Sequence, residues 1–387
     1  MNFKKIASRN VLAASLFSLI ALMMSASAYA DDAWVLPGGV FRLITGATFV
    51  NSSQEFDGSG EKHELGPELS QKVLQTGLSL GLPWSTLNPE IHMKTAIFRQ
   101  DFAIEYGLTD LMSLSVQLPL YFNADVTATS NEDMKTALTT LNSAMGPGKV
   151  GELFQKRSQN GKKSGTLGDV LLGGKYQFLN SGSSPTSNDA ETLRAAAALG
   201  LKLPTGSTAS PNTNDISTTT ASDTQSWILG ARTYWDYQFT RSFYLNLYTE
   251  HEYRLPGSRK YLYTNELTGD YSVLDTTFKP GFYNHLELDF AFSPELMTDL
   301  SLETGIRFTG DYTAAGKYTK APEAFSSIAG ETTKGSAEYN VIPYLGVFYT
   351  GSPLPLKLKV VYYQPAAGEN TYVLSGLSTV LQAYMKF

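Results

Sequence analysis

Twelve stretches of this chain alternate apolar with polar residues, and in nearly every one the charges fall on a single parity. In residues 93–106, Phe98, Phe102, Ile104 and Tyr106 stand opposite Arg99, Asp101 and Glu105. Random placement would put about half of the charges on the other face. A period of two belongs to an extended strand, whose successive side chains point to opposite sides. The stretches are residues 39–50, 93–106, 111–122, 168–179, 192–203, 226–239, 242–254, 281–292, 298–310, 338–350, 355–363 and 374–387. Most run to about a dozen residues, whereas strands of soluble sheets average about 5–6. A dozen residues at ~3.3 Å each, tilted by ~40°, cover roughly 30 Å, enough to cross the apolar core of a bilayer.

The charged parity supplies the candidate lining residues of a closed barrel. Arg42 comes from the first stretch, and Arg99, Asp101 and Glu105 from the second. Lys175 and Asp169 follow in the fourth, Arg194 and Lys202 in the fifth, Arg232 and Asp236 in the sixth. Glu250 and Glu252 lie in the seventh, His285, Glu287 and Asp289 in the eighth, Glu303 and Arg307 in the ninth, Lys357 and Lys359 in the eleventh. Cations and anions roughly balance, so two readings stand: ion pairs that brace the wall, or a selective conduit lined by some of these groups. On the opposite parity, Trp227, Trp235, Phe239, Phe290 and Phe292 predict interfacial aromatic girdles.

The connections give a second test. After the second, fourth, sixth, eighth and tenth stretches the breaks are mostly tight; after the first, third, fifth, seventh and ninth they are long, as in residues 51–92 and 123–167. Short turns at one end and long loops at the other describe an outer-membrane barrel with both termini on the periplasmic side. Asn131 is placed to cap a helix over 132–145, and residues 68–80 and 149–159 carry further helical pattern. Such outer-loop helices would form either a constriction over the pore or a packed surface lid. Residues 31–38 are too few for a plug domain, and no passenger domain remains.

Residues 1–30 read as a signal peptide, with Lys4, Lys5 and Arg9, an apolar run over residues 11–24, and Ala28-Tyr29-Ala30 as cleavage site. The barrel then occupies residues 31–387. Removing the leader takes away three positive charges and no negative one, so the −6 of the whole chain becomes −9, unsuited to nucleic acid. There is no cysteine, which excludes disulfide staples and Cys-ligated metals.

The last stretch resembles the C-terminal sorting strand of bacterial outer-membrane barrels. Phe387, Met385, Ala383, Leu381, Thr379 and Leu377 form one row, Lys386, Tyr384 and Gln382 lie in the other, and the strand ends on an aromatic. The likeness implies that this strand pairs with residues 39–50 and that Phe387 is read by the barrel-insertion machinery. Three further motifs carry a family resemblance. Glu105-Tyr-Gly-Leu-Thr-Asp-Leu-Met-Ser-Leu-Ser-Val-Gln-Leu-Pro-Leu120, Leu167-Gly-Asp-Val-Leu-Leu-Gly-Gly-Lys-Tyr-Gln-Phe178 and Ala198-Leu-Gly-Leu-Lys-Leu-Pro-Thr-Gly206 are similar to motifs of the porin-like outer-membrane transporters labelled as the MetA pathway of phenol degradation. The resemblance implies uptake of aromatic or other hydrophobic small molecules. Read as physics alone, Gly107-Leu-Thr-Asp110 is a tight turn, Pro119 and Pro204 end strands, and Asp169 and Lys175 share a face.

Catalytic readings are weaker. A twelve-stranded phospholipase needs a Ser two residues after its His; Glu287 follows His285 at that distance, and Tyr253 follows His251. Four scattered His residues show no metal-ligand spacing. Gly168–Lys175 fails the phosphate-loop pattern, because Gly174 stands where its Lys belongs. The expectation is therefore an all-β, transmembrane, antiparallel up-and-down barrel of about twelve strands, monomeric, in outer-membrane lipid, without enzymatic activity, cofactor or metal. It passively admits small solutes. The alternative is a structural or surface-interaction barrel that works through its long loops.

Overall fold

The computed structural model describes residues 32–84, 86–144, 161–163, 166–184, 189–206, 226–264, 271–297, 299–322, 329–330, 336–351 and 356–386. The leader, a helix expected over 149–159 and the side chain of Phe387 lie outside this set.

Twelve strands form a closed antiparallel barrel: β1 (Val40–Ser52), β2 (Ile91–Thr109), β3 (Met112–Ser130), β4 (Leu171–Asn180), β5 (Thr192–Lys202), β6 (Ile228–Thr240), β7 (Phe243–Arg254), β8 (Tyr283–Phe292), β9 (Leu300–Thr313), β10 (Ser336–Gly351), β11 (Leu356–Tyr363) and β12 (Ser375–Lys386). Each pairs with its neighbour in sequence, and β12 closes on β1 with Val40 opposite Lys386. At the far end of that seam Gly376 lies against the Phe49 carbonyl, where a Cβ would come within 2.1 Å of it. Closure leaves no strand edge, the condition for a sheet in lipid.

The alternation read from sequence sets which face is which. Leu43, Phe102, Leu172, Leu229, Leu286, Ile306, Leu345 and Leu377 are exposed on the outer face, although they are apolar. Asp101, Arg194, Asp236, Glu252, Asp289 and Glu303 are buried although they are charged. A soluble protein shows the reverse. Trp227 and Tyr253 stand at the loop end of the outer face, and Phe239, Phe292 and Tyr349 at the turn end.

Differences from expectation lie at the loop end. β2 and β3 run on to Ile91 and Ser130 as one tall hairpin, and β3 continues past Pro119 instead of ending there. The proline sits where the β3–β4 ladder is interrupted: pairing stops at Gln117 opposite Leu171 and resumes at Leu120 opposite Leu167. Residues expected as plain loop form a separate three-stranded sheet from Gly257–Thr264, Tyr271–Lys279 and Lys317–Lys320.

The two described helices are α1 (Pro67–Ser79) and α2 (Glu132–Ala144). Asn131 caps α2, its side-chain oxygen accepting the Met134 amide at 2.8 Å. Their apolar stripes meet in a small core of Val73, Trp84, Ile91, Met134, Ala137 and Leu141. Gly77 lets the Trp84 ring lie against α1, since a Cβ there would fall 1.9 Å from the ring.

Candidate functional site

Inside the barrel, cations and carboxylates are matched pair by pair. Arg42 bonds Glu105, Arg99 meets Asp101 at 2.7 Å, Arg232 meets Glu250 at 2.6 Å, and Lys359 meets Glu303 at 2.6 Å. Glu252 takes both Lys202 and Arg254, the latter at 2.8 Å. Arg307 bridges Glu287 at 3.1 Å and Asp289 at 3.0 Å. Tyrosines complete the lattice: Tyr248 donates to Glu250 at 2.7 Å and Tyr344 to Asp289 at 2.9 Å. Each of these buried carboxylates faces a cation or several donors, which offsets the cost of taking its charge out of water.

The lumen also holds the segment that precedes β1. Residues 32–39 turn back from β1 into the barrel as a strap, burying Ala33, Val35 and Leu36 at 0–3% exposure. Three wall groups hold it by hydrogen bonds. The Ala33 amide donates to Asp236 at 2.7 Å, Gln177 donates to the Ala33 carbonyl at 2.8 Å, and Lys175 donates to the Asp32 carbonyl. Ala33 packs with Ala196, Tyr234 and Tyr248. At the entry, Gly38 donates to Asp110 at 2.9 Å and Gly39 to the Gly107 carbonyl at 2.8 Å. Only glycine fits at 107, because a Cβ would lie 2.0 Å from the Pro37 carbonyl oxygen.

Two sequence motifs thereby acquire a job beyond turn and strand formation. Gly107 and Asp110 admit and tether the strap, and Lys175 and Gln177 clamp its tip. Asp169 does something else: it accepts the Gly206 amide at 2.8 Å, while Thr205 accepts the Val170 amide at 2.9 Å. The second and third motifs are thus bonded to each other at the loop end. Reading residues 31–38 as too short for a plug domain missed what a few residues can fill.

A cavity of about 650 Å³ lies beside the strap at the turn end, lined by Trp34, Arg42, Arg194, Arg307, Phe348, Lys357 and Tyr384 among others. Of the residues singled out from sequence, Arg42, Arg194, Asp236, Asp289, Glu303, Arg307, Lys357 and Lys359 face this cavity. Arg99, Asp101, Glu105, Lys202, Arg232 and Glu250 stand in wall pairs, and Lys175 holds the strap. His285 is bracketed by Asp311 at 2.9 Å and Glu287 at 3.8 Å, an arrangement without a nucleophile on either ring nitrogen. His251 is exposed on the outer face and bonds Asn284 at 2.7 Å. Sequence reasoning missed Trp34, Gln177 and Ala33.

One cluster at the loop end was also invisible in sequence spacing. Asp57, Glu61 and His63 bring ligand-type atoms within 4.8 Å of one another. Hydrogen bonds from the Ser59 hydroxyl and amide hold the Asp57 carboxyl below the usual carboxylate range. These bonds within the turn account for the cluster.

No protein-family model matches the sequence, and no curated protein matches it either. Among solved structures the barrel is similar to the COG4313 outer membrane channel from Pseudomonas putida F1, with a TM-score of 0.52 and 12% identity over 92% of this chain and 98% of that one. It overlaps less well with the P. putida toluene transporter TodX, at 0.35 and 10% identity over 95% and 94%. A TodX deletion mutant described as a monoaromatic hydrocarbon channel gives 0.42 at 10% identity, over 94% and 95%. At these identities the likeness is one of fold.

Proposed function

We propose that this protein is an outer-membrane channel through which small molecules diffuse, and that the strap with its flanking cavity is its narrowest part. The observation that supports it most is the pairing of an apolar outer face with a charged interior that is only partly filled. Twelve strands enclose more width than the eight whose side chains fill the interior. Here the strap fills one side of that width and leaves the cavity beside it. Ion pairs that brace the wall suit a scaffold as well; the solvent-sized gap beside them is what suits a passage. The likeness to an outer membrane channel fits the same reading. Arg99, Asp101, Glu105, Lys175, Arg194, Lys202, Arg232, Glu250, His285, Glu303, Arg307 and Lys357 are proposed as wall of the passage, with both chain ends on the periplasmic side. Residues 1–30 are proposed as a removed leader, and the C-terminal strand as the segment that the insertion machinery reads.

Aromatic or otherwise hydrophobic solutes are the class implied by the sequence motifs. Liposome swelling with phenol, benzoate and sugars tests the channel directly. The protein is expected to speed the entry of at least one of these over empty vesicles; no acceleration by protein with native, heat-sensitive gel mobility would overturn the reading and favour a loop-mediated surface role.

The bilayer-facing assignment has its own test. Leu345 is 54% exposed on β10, near mid-height of the outer face. Leu345→Arg is expected to cost about 2–3 kcal/mol of folding stability in vesicles, because a cation there meets hydrocarbon. The same change at Gln382, which lines the cavity, is expected to cost far less. Equal urea midpoints for the two variants would contradict the assignment of faces.

A further inference from the structure

Lys357 breaks the pattern of the lumen. The other cations of the wall lie on carboxylates or on the strap; Lys357 lies among rings. Its ammonium is 4.7 Å from the centre of Trp34, 5.5 Å from Tyr384 and 6.0 Å from Phe348. Among the described residues, no carboxylate is within ion-pair distance of it. Two guanidinium groups reinforce the site: Arg194, at 1% exposure, lies 5.6 Å from the Trp34 ring centre, and Arg42 lies 5.9 Å from that of Tyr384. All six residues face the same cavity.

Four of the acids that line the cavity are committed elsewhere. Glu303 is held by Lys359 and Asp289 by Arg307 and Tyr344. Asp236 takes the Ala33 amide, and Asp32 takes the Trp34 amide at 3.2 Å. An entering anion therefore need not displace a carboxylate to reach Lys357. An entering cation would be repelled by the Lys357 ammonium and would be answered instead at Glu295 and Asp299, which line the same cavity. A neutral ring would gain the aromatic faces but would bring no charge to pair with the Lys357 ammonium.

We propose that Trp34, Tyr384, Phe348 and Lys357 form a binding site for small organic carboxylates that carry a flat apolar body. The carboxylate pairs with Lys357 in a charge-assisted contact, and the body lies against the rings. Because Trp34 belongs to the strap, the bound solute also touches the element that narrows the lumen. The proposal rests on the channel reading and narrows its solute class to anions.

The test is direct binding to the full-length, detergent-purified protein, with 4-fluorobenzoate followed by fluorine NMR and with 4-fluorophenol as the neutral comparison. 4-Fluorobenzoate is expected to bind and 4-fluorophenol to bind at least about tenfold more weakly, since it brings no charge. Lys357→Met keeps the stem and loses the charge; it is expected to weaken 4-fluorobenzoate about tenfold or more and leave 4-fluorophenol unchanged. Lys357→Arg keeps the charge and is expected to retain 4-fluorobenzoate binding. Heat-sensitive gel mobility of each variant checks that it is folded. Equal affinity for the two probes, or 4-fluorobenzoate binding that Lys357→Met leaves intact, overturns the site. Solute entry in swelling assays without 4-fluorobenzoate binding would remove the site and keep the channel; binding without entry would do the opposite.

Discussion

A chain that lacks residues 32–36 is expected to admit small solutes about three- to tenfold faster than the intact protein in swelling assays, because pore width in a barrel of this size depends on what lies inside it. The strap is held by contacts that do not build the wall. Asp236, Lys175 and Gln177 stay on their strands when it is gone, so the barrel is expected to fold with normal gel mobility. A gentler variant asks the same question. Asp236→Ala removes the acceptor of the buried Ala33 amide and is expected to raise entry rates in the same direction, by less. Gly107→Ala is expected to act at the other end, because its methyl group would strike the Pro37 carbonyl. Entry rates that ignore all three changes would show that the strap is not the constriction.

The largest stability effect is expected at Glu252, where Glu252→Gln should cost about 3–4 kcal/mol, at the lower part of the range for breaking a buried charge pair. Glu252 is 1% exposed and lies between Lys202 and Arg254, whose side chains are 30% and 20% exposed. The carboxylate fits because its row across the sheet reads Gly200, Gly230, Glu252, and the two glycines leave it room. Neutralising it leaves two cations beside each other across β6, partly screened by lumenal water. The denaturant midpoint of the refolded barrel in lipid vesicles reads the loss. Glu252→Asp keeps the charge and is expected to lose far less. A midpoint that does not move for Glu252→Gln would mean that the lattice does not brace the wall.

Most of the barrel could be read from the sequence because one physical rule acts at every strand. Lipid rejects charge on one face, so Arg99, Asp101 and Glu105 must share a parity, as must Glu250, Glu252 and Arg254. Capping chemistry, a separate signal, placed the helix cap at Asn131, while that rule placed β5, β7 and β11 to within about a residue of their observed ends. It fails where lipid no longer acts. Beyond the bilayer, β3 continues through Val126 and Thr129, which looked like loop because Asn123 and Asp125 interrupt the apolar row.

The strap was not legible for a different reason. Asp32 to Leu36 has no periodicity of its own, and its partners Lys175, Gln177 and Asp236 come from strands more than 140 residues away. A trace of it was present in the motifs. Gly107 is needed because the strap crosses there, and Lys175 and Gln177 sit two apart because both reach one buried turn of chain. Those residues read as architecture, and the lumen's occupant came from outside the repeating pattern. The Lys357 site followed the same course. Its charge was visible, but the ring of Trp34 that marks it off from the paired cations is brought there by the strap.

Single-channel recording from the intact protein in planar bilayers tests the central reading most directly. Discrete, small conductance steps are predicted, with anions carrying more of the current than cations and benzoate reducing it. Protein that is folded and inserted, yet gives no steps at all, would contradict the account of the lumen as a passage.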